Sequence, residues 1–228
     1  MIPKFIYKTA PSLTPKIKEI NDLLEKKNKG WKVKFYDDDQ CLDFLINDFQ
    51  NNNLNFKNNV IIAYNKLLAP AFKSDLWRLC VIYEYGGVYI DATSILFYPL
   101  MNIFNLDKNF SIAFDNPGMG LQISLFASIK NHPYLKCYIS QILFNIKNKY
   151  YGDSCLSPTG PKCAFRVAKK FGYSKHISIP IKNDRGTYKM IKSNKIVGKR
   201  KSKNHNNIIN KNKNNNYVNL WKKKKIYK

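Results

Sequence analysis

Residues 71–98 read AFKSDLWRLCVIYEYGGVYIDATSILFY, and they contain the only Gly-Gly pair in the chain, Gly86-Gly87, followed by three apolar residues and one acid, Asp91. Upstream of the glycines, Leu76, Leu79, Cys80 and Tyr83 recur at helical spacing behind Pro70, which predicts an amphipathic helix from about Ala71 to Tyr85 that Gly86 ends. Downstream, Val88-Tyr89-Ile90 predicts a short buried strand whose carboxyl end delivers Asp91. In open α/β sheets that end of a strand is where ligands bind.

Working outward, the opening IPKFIYKT predicts a first strand, with Pro3 confined to its start. In LTPKIKEINDLLEKKN, Thr14 stands as a cap, Pro15 at the first helical position, and Ile17, Ile20, Leu23 and Leu24 form an apolar stripe. WKVKFYD then alternates as a strand. This β-α-β opening predicts an α/β fold with a parallel sheet covered by helices. Later stretches add a strand at SIAFD, a strand or helix at QISLFASI, a long helix after Pro133, and a Pro/Gly turn leading into a helix at SPTGPKCAFRVAKKF.

At 228 residues and 44% hydrophobic, the chain supports one sizeable core. Its apolar runs are far shorter than the roughly 20 residues that span a bilayer, and no signal-peptide pattern precedes MIPKFIYKT, so a cytoplasmic protein is expected. Five cysteines without CxxC spacing suggest free thiols. The net charge of +24 is uneven: residues 182–228 hold 16 Lys/Arg against one acid. Two units are therefore expected, a folded domain over 1–185 and a basic, partly flexible Lys/Asn-rich segment over 186–228. That segment is read as solvated or as attracting anions, an acidic membrane surface among them; nucleic acid is the least favoured partner.

Asp75 and Arg78 fall on neighbouring positions of one helix face, and the glycine turn folds the next strand back beside them, so Asp75, Arg78 and Asp91 all face one cleft. Carboxylates there accept from sugar hydroxyls or bind a divalent cation, and a guanidinium binds hydroxyls or phosphate in a fixed fork. A local ion pair that only stiffens the helix is the competing reading of Asp75 and Arg78 taken alone. The histidines His132, His176 and His205 each stand without a second ligand at metal spacing and are read as structural or solvated. Asp37 to Asp39 read as a helix cap, and Asp115, before NPGMG, as turn chemistry in preference to an acceptor-facing base.

The run KSDLWRLCVIYEYGGVYIDATSILF resembles the central signature of DXD-type sugar transferases, a pattern S-D-x-x-R followed by G-G-x-[YW]-x-D. That family includes fungal α-1,6-mannosyltransferase-like enzymes, capsular polysaccharide synthesis proteins and the catalytic domains of glucosylating toxins. IPKFIYKT, GWKVKFYDDDQCLDFL, NHPYL, SPTGP and the terminal NYVNLWKKKKIY resemble flanking landmarks of the family, the last also found in viral members. The resemblance implies a GT-A type, Rossmann-like α/β fold with a mixed, mostly parallel sheet flanked by helices, and hexose transfer, with retention, from a UDP- or GDP-sugar to a glycan, lipid-linked or protein hydroxyl, aided by Mn²⁺ or Mg²⁺. It implies that Asp75 and Arg78 hold the donor sugar and that Asp91 serves the ribose and the metal. Tyr7, Gly86, Gly87, Tyr89 and Trp221 are implied as further donor-binding positions, Trp221 by closure of the C-terminal end over the donor.

The sequence departs from the pattern at Asp91-Ala92-Thr93, where a hydroxyl replaces the second carboxylate of D-x-D. Thr93 is a weaker ligand for a hard cation than a carboxylate. This opens the alternative of a member that binds nucleotide sugar without turnover. Tyr7 and Ala10 also stand where relatives often place His and Trp.

Overall fold

The computed structural model describes residues 1–50, 54–115, 120–172, 178–200 and 216–228. The stretch 201–215, which holds much of the segment expected to be flexible, lies outside the described residues, as do His176 and His205.

The chain opens β1 (Phe5–Thr9), α1 (Pro15–Lys27), β2 (Lys32–Tyr36), with Thr14 Oγ1 accepting the Ile17 amide at 3.3 Å to cap α1. α2 (Asp38–Asp43) begins in a reciprocal capping box: Asp37 Oδ1 accepts from the Gln40 amide at 2.9 Å, and Gln40 Oε1 from the Asp37 amide at 3.0 Å. Asp37 of the acidic triplet is thus spent on a helix start, as expected. After α3 (Leu54–Lys66) comes α4 (Pro70–Tyr85), which fills the predicted interval and ends on Gly86 at φ +67°.

β3 (Gly87–Ile90) and β4 (Ser94–Leu96) follow, then β5 (Phe110–Phe114) and β6 (Leu121–Ser128). The stretch read as strand or helix is β6, buried along its whole length. α5 (Pro133–Lys147) starts at His132, whose Nδ1 accepts from the Tyr134 amide at 3.2 Å, so this histidine is structural. The chain continues through α6 (Pro161–Phe171), β7 (Ser178–Asp184), β8 (Thr187–Met190), β9 (Ile196–Arg200) and α7 (Tyr217–Lys222).

Among the described residues the nine strands form one sheet in the order β2-β1-β3-β6-β5-β7-β8-β9-β4. It is the expected mixed α/β sheet, but antiparallel neighbours outnumber parallel ones. β1 runs parallel to β2 and β3, and β5 to β7, while the other five ladders are antiparallel. Most of the parallel part is the β-α-β opening read from sequence; β5–β6, β7–β8 and β8–β9 are joined by short connections, such as Arg185-Gly186 between β7 and β8, which permit only antiparallel pairing. β8 and β9 lie beyond residue 185, inside the stretch expected to be a basic C-terminal segment, and extend this same sheet.

Helices α3 to α6 cover one face over a core that includes Tyr7, Phe44, Trp77, Tyr134 and Tyr138. On the other face Ile6, Val88, Ile90, Leu125 and Tyr188 pack with Leu24 of α1 and with Leu100 and Phe104. No described helix is long and apolar enough to cross a membrane.

The glycine pair lets β3 run hard against its neighbours. Gly87 has φ +111°, and a Cβ there would lie 2.6 Å from the Phe5 carbonyl oxygen. Gly87→Ala is therefore expected to cost about 2 kcal/mol or more, from strain in a region alanine avoids and from displacement of β1. A thermal midpoint equal to that of the parent protein would contradict this.

Candidate active site

α4 and β3 converge on a cavity of about 480 Å³ whose floor carries Asp75, Arg78 and Asp91. The turn of helix from Ser74 to Arg78 aims the arginine across the carboxyl end of β3. Its Nε donates to the Ser74 carbonyl at 3.0 Å, and Nη2 donates to Ser74 Oγ at 2.8 Å and lies 3.4 Å from Asp75 Oδ1. Its Nη1 donates to Asp91 Oδ1 at 3.2 Å and to the Ile123 carbonyl at 3.1 Å. The guanidinium also stacks 4.5 Å above the centroid of the Tyr89 ring, whose hydroxyl donates to Asp91 Oδ1 at 3.2 Å. Burial disfavours the Arg78 charge, but Tyr89, Asp91 and Asp75 outweigh it and hold its pKa above the ordinary value.

Asp75 is fixed from its other side by Thr159, whose Oγ1 donates to Asp75 Oδ2 at 2.8 Å. Burial pushes the Asp75 carboxyl up to about 6 even though Arg78 and Thr159 oppose the shift. Asp91 is held at its second oxygen by Arg200 of β9, with Nη2 at 3.5 Å from Oδ2. The floor is thus an alternating row, Asp75, Arg78, Asp91, Arg200. Beneath it Lys8 is fully buried, its Nζ has no hydrogen-bond partner among the described residues, and burial pulls its pKa down to about 8 against the attraction of Asp91.

The far wall holds Asp115, whose Oδ1 accepts from Asn183 Nδ2 at 2.8 Å and from Gln122 Nε2 at 3.3 Å. The backbone of Asp115 closes the β5–β6 connection by donating to the Gly120 carbonyl, as the turn reading expects, while the side chain faces the cavity. Arg185 and Tyr217 complete the rim.

Of the site residues expected from sequence, the structure brings together Asp75, Arg78, Tyr89 and Asp91. Thr93 lies in the turn just past Asp91, half-buried. Tyr7 lies elsewhere: it is buried in the core, stacked 6.1 Å from Tyr85. Gly86 and Gly87 stand at the start of β3, the opposite end from Asp91, and serve close packing. Trp221 donates its indole N–H to the Tyr151 carbonyl at 2.8 Å and does not line the cavity; its neighbour on α7, Tyr217, does. Thr159, Asn183 and Arg200 were not singled out from sequence. Thr159 falls inside SPTGP, a landmark already noted, whereas Arg200 is hidden in a run of cations.

The donor set for a divalent cation is poor. Asp91 has both oxygens in ion pairs with guanidinium groups, Thr93 offers a neutral hydroxyl, and no three His, Cys, Asp or Glu among the described residues are grouped to hold a metal. Hard cations favour several oxygen ligands, carboxylates foremost.

Residues 15–110 match the family described as glycosyltransferase sugar-binding region containing DXD motif. An uncharacterized protein of Arabidopsis thaliana is 29% identical over 102 residues, which is 45% of this chain and 15% of that protein. The chain thus spans a small part of this curated relative. Among solved structures, the PaToxG glycosyltransferase aligns with a TM-score of 0.55 at 18% identity, covering 75% of this chain and 69% of that one. The ligand-free glycosyltransferase domain of the YGT toxin aligns at 0.54 and 9% identity, covering 80% of each chain. These structural likenesses are of fold, and they agree with the α/β sheet. Residues 15–110 are thus similar to the sugar-binding region of DXD-type glycosyltransferases, and the chain shares its fold with glycosyltransferase domains.

Proposed function

We propose that the protein transfers a hexose from a UDP- or GDP-sugar to a hydroxyl of a glycan, lipid-linked or protein acceptor, with retention at the anomeric carbon. The observation that carries this reading is the Asp75–Arg78–Asp91 row on the cavity floor, set within the matched sugar-binding region. Asp75 presents an acceptor to sugar hydroxyls, Arg78 holds Asp75 and Asp91 in place and supplies positive charge beneath the donor, and Asp91 accepts from the ribose while orienting two guanidinium groups. In the reaction the bond from the anomeric carbon to the diphosphate breaks, with its electron pair going to the phosphate oxygen. A bond to the acceptor oxygen forms, and the proton that oxygen gives up passes to the departing diphosphate. Charge develops on the departing diphosphate, and fixed cations beside it lower the barrier. The third acid of the cavity, Asp115, is held by Asn183 and Gln122, and this reading assigns it to the acceptor.

Thr93 favours a second reading, a member that binds the nucleotide sugar without turning it over. Release of nucleoside diphosphate from UDP- and GDP-hexoses, measured with Mn²⁺, with Mg²⁺ and with chelator, separates the two. Release above the protein-free background is expected. Its absence in all three buffers overturns the transferase reading in favour of binding alone.

A further inference from the structure

Arg200 reaches the site from a strand that the sequence presents only as part of a basic run. Its backbone is registered opposite Ser94 in the β4–β9 ladder, one residue beyond Thr93, and its amide donates to the Gly186 carbonyl at 2.7 Å. The guanidinium reaches back to the carboxylate that the D-x-D motif keeps here, its Nη2 lying 3.5 Å from Asp91 Oδ2. At 43% side-chain exposure it lines the cavity while remaining open to an incoming anion.

The seat of this arrangement is well braced. The Asp91 amide donates to the Ser124 carbonyl at 2.9 Å, and the hydroxyls of Ser124 and Ser94 both bond to the buried Tyr188 hydroxyl, at 3.0 and 3.1 Å. Asp91 and the strand that carries Arg200 are thereby tied to one polar network.

Charge accounting points the same way. A hydroxyl in place of a carboxylate at position 93 leaves the site one unit more positive, and the Arg200 guanidinium adds another. Together they equal the charge of a divalent cation. Lys8, buried below Asp91 with no hydrogen-bond partner among the described residues, adds further positive potential from beneath. A dication at Asp91 would have to displace Arg78 and Arg200 from that carboxylate and sit above an ammonium.

We infer that this protein binds the diphosphate of its nucleotide donor without a metal ion, Arg200 taking the place of the divalent cation beside Asp91. Arg200 is the diphosphate-binding residue and Asp91 its positioning partner. The inference rests on the donor reading above.

Titration calorimetry on the full chain with UDP and with GDP, in EDTA and in Mn²⁺, tests it. Equal affinity in the two buffers is expected for whichever nucleotide binds. Arg200→Gln should weaken that affinity in EDTA by roughly 10- to 100-fold, the range for a charge-assisted hydrogen bond to a phosphate, with the thermal midpoint of the free protein confirming the fold. The double variant Thr93→Asp, Arg200→Gln restores a carboxylate and removes the competing cation, so its nucleotide binding should become dependent on Mn²⁺, a gain that a merely structural Arg200 would not produce. A parent protein that binds UDP or GDP in Mn²⁺ and not in EDTA overturns the inference and leaves the donor reading standing. Unchanged affinity in Arg200→Gln overturns the role of this residue. No binding of either nucleotide in either buffer overturns both readings together.

Discussion

Arg78→Ala should lower the stability of the protein by about 3 kcal/mol at pH 8, near the lower end for removal of one partner from a buried ionic cluster. The guanidinium is the shared partner of Asp75 and Asp91 and keeps 9% side-chain exposure, so its loss strands two carboxylates at the floor of the cavity. The lower end applies because the acids keep 15% and 19% exposure and Arg200 still faces Asp91. At this chain length the midpoint should fall by roughly 6 to 12 °C. The deficit should also depend on pH, with a definite sign. Burial pushes the Asp75 carboxyl up to about 6 in the folded protein, above the ordinary 3.8. A carboxyl whose folded value is raised destabilises the fold while ionised: the penalty is complete above pH 6 and disappears below the unfolded value. Without Arg78 that penalty grows, so the variant should recover part of its deficit as the pH falls through 6. Arg78→Lys keeps the charge but cannot span Asp75, Asp91 and the Ile123 carbonyl with one planar fork, and it should fall between the two. Equal melting of Arg78→Ala and the parent at pH 8 would show that the row of charges contributes nothing to the fold.

What the sequence disclosed and what it hid follow from distance along the chain. Asp75, Arg78, Tyr89 and Asp91 lie within 17 residues of one another, on a helix, a glycine turn and a strand whose periods can be read directly. The same locality made the β-α-β opening legible. Arg200 and Asn183 reach the cavity because β7, β8 and β9 continue the sheet, and Thr159 because it precedes α6 against α4. None of these placements has a local signature. Arg200 is further masked by composition, being one cation among many between residues 182 and 228.

Tyr7 shows a different limit. Strand alternation tells that Tyr7 and Lys8 point to opposite faces but not which face bears the site. Here Tyr7 enters the aromatic core under α4, and Lys8 turns to the face nearer Asp91. The expectation of a mostly parallel sheet fails in part because β5–β6, β7–β8 and β8–β9 have connections too short for parallel pairing.

Asp91→Asn should cut donor turnover by at least about 100-fold, on the scale of losing one preorganised electrostatic contact at a reacting centre. The change is nearly isosteric. The carbonyl oxygen of the introduced amide can still accept from Arg78 and from Tyr89, so the midpoint should move much less than in Arg78→Ala. What fails is the second oxygen: an amide NH₂ turned toward Arg200 sets donor against donor and releases the guanidinium from its position. The direction of the accompanying change in binding is the informative part. Neutralising Asp91 leaves Arg78, Arg200 and Lys8 with one fewer counter-charge, so a diphosphate should bind as tightly as before or more tightly while turnover collapses. If Asp91 instead carried a metal, the same substitution would remove the ion and nucleotide affinity in Mn²⁺ would fall with the rate. A paired measurement of UDP or GDP affinity and of nucleoside diphosphate release in this one variant therefore decides between an acid that aims two arginines and an acid that holds a cation. Full release by Asp91→Asn would place the donor chemistry elsewhere and overturn the proposed function itself.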